Sequence, residues 1–242
     1  MPDPVLLSED QGAVRILRLN RPAKLNALDT ALTRALYEAL QAADEDGSVR
    51  AVVLAGEGRA FCAGADLSEF PDLTLENQRA VVQRAELTTR TQMLLQQLRK
   101  PIVSVVQGAA VGGGAGLAIG CDMMVAADDL KFGYPELKHS IVPAVVMTSL
   151  QRHIGRKLAF EMISTGRLLN AAEAAEAGMA NRVADPKVAL DVGLEIATAW
   201  AAVSPWAMAA TKDLFYRVAD LPFEEAMRTG RDINTIMRGF RG

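Results

Sequence analysis

Val106-Gln107-Gly108-Ala109-Ala110-Val111-Gly112-Gly113-Gly114-Ala115-Gly116-Leu117 decides how this chain is read. The stretch follows Pro101 and an apolar run, Ile102 to Val106, that fits a buried strand. It then opens a helix from about Gly112 to Ile119. A helix start exposes N–H groups that lack an intrahelical partner, and the aligned peptide dipoles favour negative charge there. Consecutive glycines let a ligand approach that backbone closely. The same glycines also serve plain strand–helix packing, which is common in α/β folds. A dinucleotide fingerprint is excluded, because the G-x-G-x-x-G order fits poorly and no acidic residue closes a βαβ unit. No Gly-Lys-Ser/Thr follows, so a phosphate loop is excluded too. Ile102 to Cys121 is twenty uncharged residues, long enough to span a bilayer. Six of them are glycine, however, and Pro101 and Asp122 bound the segment tightly. Strand, turn and buried helix account for it better.

Working outward, Ala13 to Leu19 alternates apolar and charged residues as a half-buried strand does. Asp29 is placed to cap a helix carrying Leu32, Ala35, Leu36, Ala39 and Leu40 on one face. Arg50 to Ala55 reads as a buried strand, followed by a loop from Arg59 to Leu73 and an amphipathic helix from about Leu75 to Leu98. Met123 to Ala126 and Leu130 to Phe132 read as short strands. Helices dominate from Glu136 onward, with one further short strand at Met179 to Val183. Strand–helix units first and helices last describe an α/β core capped by a helical region.

The 242 residues suffice for one large domain, and a composition 50% hydrophobic and 23% charged belongs to a folded globular protein. A formal net charge of −3 offers no general attraction to nucleic acid or an acidic membrane. Cys62 and Cys121 have no metal-ligand spacing, so no metal is expected, and such sparing cysteine use suits a reducing cytoplasm. The start, Met1 to Val5, lacks the basic head and apolar run of a signal peptide.

A second glycine-bearing segment, Ala60-Phe61-Cys62-Ala63-Gly64-Ala65-Asp66-Leu67, follows the strand at Arg50 to Ala55. Together with Asn20-Arg21-Pro22, Leu25-Asn26-Ala27-Leu28, Gly108, Gly112-Gly113-Gly114, Cys121-Asp122, Phe132-Gly133-Tyr134-Pro135-Glu136 and Gly155, it makes the sequence resemble the enoyl-CoA hydratase/isomerase (crotonase) superfamily. Later matches are Thr165-Gly166, Ala171-Ala172-Glu173-Ala174, Gly178-Met179, Ser204-Pro205 and Lys212, so the resemblance covers nearly the whole chain. It implies a crotonase-like spiral of ββα turns over residues 1–190, with a C-terminal helical region over residues 191–242 for trimerisation and site capping. It also implies an acyl-CoA thioester substrate, coenzyme A as part of that substrate with no separate cofactor, and a homotrimer or dimer of trimers. The backbone N–H groups of Ala65 and Gly113 are implied as an oxyanion hole. Lys24, Leu25, Ala63 and Lys212 are implied as contacts to coenzyme A.

Two donors fixed around a thioester oxygen stabilise the enolate formed when a proton leaves the neighbouring carbon. Hydratases of this family share the work between two glutamates. The second falls on Glu136, while the first falls on Gly116, which has no side chain. One carboxylate suffices to move a double bond, by taking a proton from one carbon and returning it to another. The chain therefore reads first as an enoyl-CoA isomerase. Two alternatives stay open: a hydratase with an atypical second acid/base, or a binder of acyl-CoA without activity. His139 and Asp66 are the candidate auxiliary groups, although Asp66 also suits a helix cap. Cys62 reads as packing, since no histidine partner is evident.

Overall fold

Period-two alternation in the parallel strands explains the architecture. The computed structural model describes residues 3–238. Strands β2 (Val14–Leu19), β3 (Ala51–Gly56), β4 (Ile102–Val106) and β6 (Met123–Ala127) run parallel at the centre of a six-stranded sheet. β1 (Leu6–Gln11) joins β2 antiparallel at one edge, and β9 (Arg182–Ala184) joins β6 at the other. Val14, Ile16, Val53, Val103, Val105 and Val125 point to one face, where α7 (Ala189–Ala201) covers them. The alternate residues Leu17, Leu19, Val52, Leu54, Ile102 and Met124 point into the larger core on the other face. A sheet buried on both faces needs near-continuous apolar strands, and all six residues of β3 are buried.

The larger core also takes in α1 (Thr30–Glu45), α2 (Gln78–Gln97) and α3 (Gly113–Gly120). Asp29 caps α1 as expected, its carboxylate accepting from the Leu32 N–H at 2.7 Å. A second layer of backbone pairing runs alongside. β5 (Ala109–Val111), β7 (Lys131–Gly133) and β8 (Leu168–Leu169) form a three-stranded sheet. Single bridges, Cys62 to Ala110 and Leu28 to Ala65, continue its pairing outward. Successive turns of chain thus pass from the first sheet through this second layer to a helix, which is the spiral of ββα turns.

The uncharged stretch Ile102 to Cys121 resolves into β4, β5 and α3, and no described helix is long and apolar enough to cross a membrane. The C-terminal half adds α4 (Val146–His153), α5 (Arg156–Thr165), α6 (Ala171–Glu176), α8 (Pro205–Val218) and α9 (Phe223–Met237). Helix α7 straddles residue 190 and closes the back of the sheet. β1, β5 and β8 are additions to the sequence reading.

Candidate active site

The two glycine-bearing segments meet at the second layer of pairing. Leu25 and Asn26 take positive φ, 49° and 55°, which turns the chain sharply after Pro22. The buried Asn26 amide locks this turn by donating to the Glu57 and Ala60 carbonyls at 2.9 and 2.8 Å. Residues 25–28 can then pair with 63–66. The Ala63 N–H donates to Leu25 at 2.9 Å, Leu28 to Gly64 at 2.7 Å, and Asp66 to Leu28 at 3.0 Å. Alternation along this pairing turns the Ala65 N–H the other way, and it has no acceptor among the described residues. Gly64, at φ 86°, packs so closely that a Cβ there would lie 2.9 Å from the Val111 carbonyl oxygen and 3.7 Å from the Gly113 nitrogen. The Gly113 N–H, at the first turn of α3, also lacks an acceptor among the described residues.

Glu136 follows β7 and opens a short 3₁₀ turn, Glu136–His139. Its carboxylate lies against Gly112, where a Cβ would stand 2.7 Å from Oε1. Oε2 is buried and has no hydrogen-bond partner among the described residues. Desolvation therefore pushes the Glu136 carboxyl above the ordinary glutamate value. A carboxylate raised in this way is a stronger proton acceptor than an ordinary glutamate. Ala63, Gly64, Ala65, Gly112, Gly113 and Glu136 share one cavity of about 340 Å³. Leu67, Phe70, Ile141, Val142, Val145 and Val146 supply an apolar wall. Among the described residues, Glu136 and His139 are the titratable ones lining it, and no Lys or Arg does.

His139 borders the cavity as an exposed side chain. Asp66 is a correction to its auxiliary role, because its carboxylate is already engaged. Ser68 donates from both N–H and hydroxyl, and Arg21 from its guanidinium at 2.8 Å. These donors hold its carboxyl down to about 2, so it caps the 3₁₀ turn Leu67–Asp72 and anchors Arg21. Glu69 is occupied likewise, accepting from the Thr30 N–H at 2.9 Å and pairing with Arg84 at 3.3 Å. Ala63 is half-buried and lines the cavity; the exposed Lys24 and half-buried Leu25 lie on the adjoining turn, held to it by the Ala63 N–H.

Lys212 is the second correction. The residue is 5% exposed, and its ammonium donates to Asp122 at 2.7 Å and to the Leu95 and Lys100 carbonyls at 2.9 and 3.1 Å. With three acceptors around it, the group fastens α8 to the core and offers nothing to a phosphate. Cys62 is fully buried against Gly114, and burial pushes its thiol up to about 12, which suits packing rather than nucleophilic attack. A separate cavity of about 270 Å³, lined by Arg50, Arg99, Trp200 and Trp206, contains none of the candidate site residues.

Sequence reasoning missed three neighbours of the site. Asn26 was quoted only as part of a motif, and its locking role appears only in three dimensions. Tyr134 is fully buried, its hydroxyl has no partner, and its ring meets Phe132 edge-on at 5.9 Å. Gln92 on α2 reaches across to α3, where its Nε2 donates to the Gly113 carbonyl at 3.0 Å.

Comparison with known proteins agrees with this fold. The enoyl-CoA hydratase/isomerase family model matches residues 9–236. The chain is 34% identical over 233 residues to the 2,3-dehydroadipyl-CoA hydratase of Escherichia coli, covering 96% of this chain and 89% of that protein. It is 31% identical over 225 residues to the short-chain-enoyl-CoA hydratase of Clostridium acetobutylicum, covering 92% and 85%. The crystal structure of an enoyl-CoA hydratase from Mycobacterium smegmatis superposes with a TM-score of 0.90 at 35% identity, covering 97% of this chain and 91% of that one. Fold and relatives coincide, and the chain belongs to the enoyl-CoA hydratase/isomerase family.

Proposed function

We propose that this chain adds water reversibly across the double bond of a 2-enoyl-CoA thioester with an uncharged acyl chain. The observation that carries the reading is the Glu136 carboxylate, whose Oε2 is buried and unpartnered in the cavity that Ala65 and Gly113 also line. The Ala65 and Gly113 N–H groups receive the thioester oxygen as it becomes an enolate, each donor contributing on the order of 3 kcal/mol. Glu136 takes a proton as the new bond forms and delivers one to C2. The sequence alone ranked isomerisation first. The hydratases named among the relatives weigh the other way and support hydration.

An apolar wall without a cation suits an acyl chain that ends in methyl rather than carboxylate, since a buried unpaired charge is strongly disfavoured. Ala63 lines the cavity and its N–H donates to Leu25 beside the exposed Lys24, and this edge is the proposed seat of coenzyme A. Exposed apolar side chains on α8 and α9, Trp206, Phe215, Phe223 and Met227 among them, support the proposal of a homotrimer or dimer of trimers.

The test is to incubate the protein separately with 2-enoyl-CoA and 3-enoyl-CoA and follow each by mass spectrometry. A gain of one water on the 2-enoyl ester is expected. Isomerisation remains the second reading, favoured by the missing side chain at Gly116; conversion of the 3-enoyl ester without mass change, and no hydration, would establish it instead.

A further inference from the structure

The position where a second acid would project is not empty space. A Cβ on Gly116 would lie 2.8 Å from Gln92 Oε1, 3.1 Å from Gln92 Nε2 and 3.0 Å from Val146 Cγ1. The Gln92 carboxamide therefore fills the place that a side chain at 116 would need. Its orientation follows from chemistry, because the Gly113 carbonyl can only accept and so must face the amide nitrogen, at 3.0 Å. This leaves Oε1 as the atom turned over Gly116, and it accepts no hydrogen bond from the described residues. Gln92 is half-buried behind the cavity wall; Thr88, one turn earlier on α2, and Val146, which the same Cβ would meet, both line the cavity.

Glu136 Oε1 stands over Gly112 and Gln92 Oε1 over Gly116, four residues apart at the start of α3. The Gly116 N–H donates to the Gly112 carbonyl at 3.0 Å, so the two side chains approach the same turn of α3, one at its cap and one a turn further on. Glutamine cannot take a proton, but its carbonyl oxygen can orient a water whose proton goes elsewhere.

We propose that Gln92 is the water-holding residue of this site: its Oε1 accepts one O–H of the attacking water while Glu136 accepts the other. The inference rests on the hydratase reading. As the water oxygen bonds to C3, its O–H toward Glu136 breaks and the carboxylate takes that proton. The C2–C3 π pair moves onto the thioester oxygen as the enolate. The pair then returns to C2 and takes the proton from Glu136, so one water is added and the carboxylate is restored.

The test compares the wild type with Gln92→Leu and Gln92→Glu in two assays. One is hydration of a 2-enoyl-CoA; the other is solvent deuterium exchange at C2 of the saturated acyl-CoA, which needs the enolate and Glu136 but no water at C3. Gln92→Leu is expected to lose roughly tenfold to a hundredfold in hydration kcat, the range for one lost hydrogen bond to the reacting water. Its exchange rate is expected to stay within about threefold of wild type. Gln92→Glu is expected to keep hydrating and to add a second titration to the pH profile of kcat. Unchanged hydration in Gln92→Leu overturns the proposal. An equal fall in both assays also overturns it, leaving Gln92 as a brace for the Gly113 peptide. A wild type that exchanges but never hydrates removes the hydratase reading itself, and with it the role of Gln92. Urea midpoints for both variants separate these results from misfolding.

Discussion

Glu136→Gln should lower activity and leave stability intact or improved, which distinguishes a chemical role from a structural one. The substitution preserves shape and removes both the charge and the proton-accepting capacity. General acid–base groups typically contribute about 10²- to 10⁴-fold, so kcat should fall by roughly 3–5 kcal/mol in barrier height. KM for the acyl-CoA should change little, because the carboxylate faces the reacting carbons rather than coenzyme A. Stability follows from the raised carboxyl. The fold favours the neutral form, so this group's contribution is fully present below its unfolded value and is lost as pH rises through the elevated one. At pH 8 the wild type buries an unpartnered charge that the variant lacks. Unfolding in urea should place the variant at or above the wild type there, by up to about 1 kcal/mol, with the difference closing below pH 4.5. The measurement is a pair of kcat profiles and urea midpoints between about pH 4 and 9, which brackets the ordinary glutamate value. A variant that keeps most of its turnover, or one that loses activity and stability together at pH 8, would refute the assignment.

Lys212→Met should strip Asp122 of its ammonium partner while leaving the Tyr216 hydroxyl and the Ile102 N–H in place. A cost of about 3 kcal/mol is expected, read as a fall in Tm of roughly 6–12 °C, with KM for the acyl-CoA unchanged. Asp66→Asn should weaken the Arg21 anchor at neutral pH. The wild-type carboxyl is depressed, so its contribution is present above 3.8 and is lost as pH falls toward about 2; urea midpoints of the two proteins should converge at the acid end. Gly116→Glu should destabilise by about 1–3 kcal/mol through its clash with Gln92 and Val146, and adding Gln92→Ala should recover part of that loss in a urea double-mutant cycle.

Much of the fold was legible because its signals are local. The Asp29 cap, the apolar face of α1 and the buried runs of β2, β3 and β4 each announce themselves within a few residues. β1 did not, because Glu9 and Asp10 lie on an exposed edge where alternation is under no constraint from burial. β5 and β8 have three and two residues and are defined by their partners rather than by any pattern. In the site, the motif positions Ala63 to Ala65, Gly112, Gly113 and Glu136 do come together around one cavity. Lys212 misled because a lysine in a helix looks solvated, and its acceptor Asp122 is 90 residues away. Asp66 revealed its cap by spacing, but Arg21 reaches it from 45 residues earlier. Gln92 sits among polar residues of an amphipathic helix and carries no local mark at all.

The glycine run in α3 shows why such marks are absent. Read along the chain, Gly112, Gly114 and Gly116 look like one flexible segment. In space they receive three different neighbours: the Glu136 carboxylate, the Cys62 backbone and thiol, and the Gln92 carboxamide. A Cβ would come within 2.7, 2.4 and 2.8 Å of them respectively, so each lost side chain is matched by a specific approach from another element. At Gly112 the backbone, at φ 54° and ψ −120°, also lies where side chains are strongly disfavoured. The pattern therefore encodes proximity rather than looseness. It brings an acid, a strand and an amide onto one turn of a helix whose first N–H groups remain open. A substitution at 112 should act through Glu136 and one at 116 through Gln92, although the two positions are a single helical turn apart.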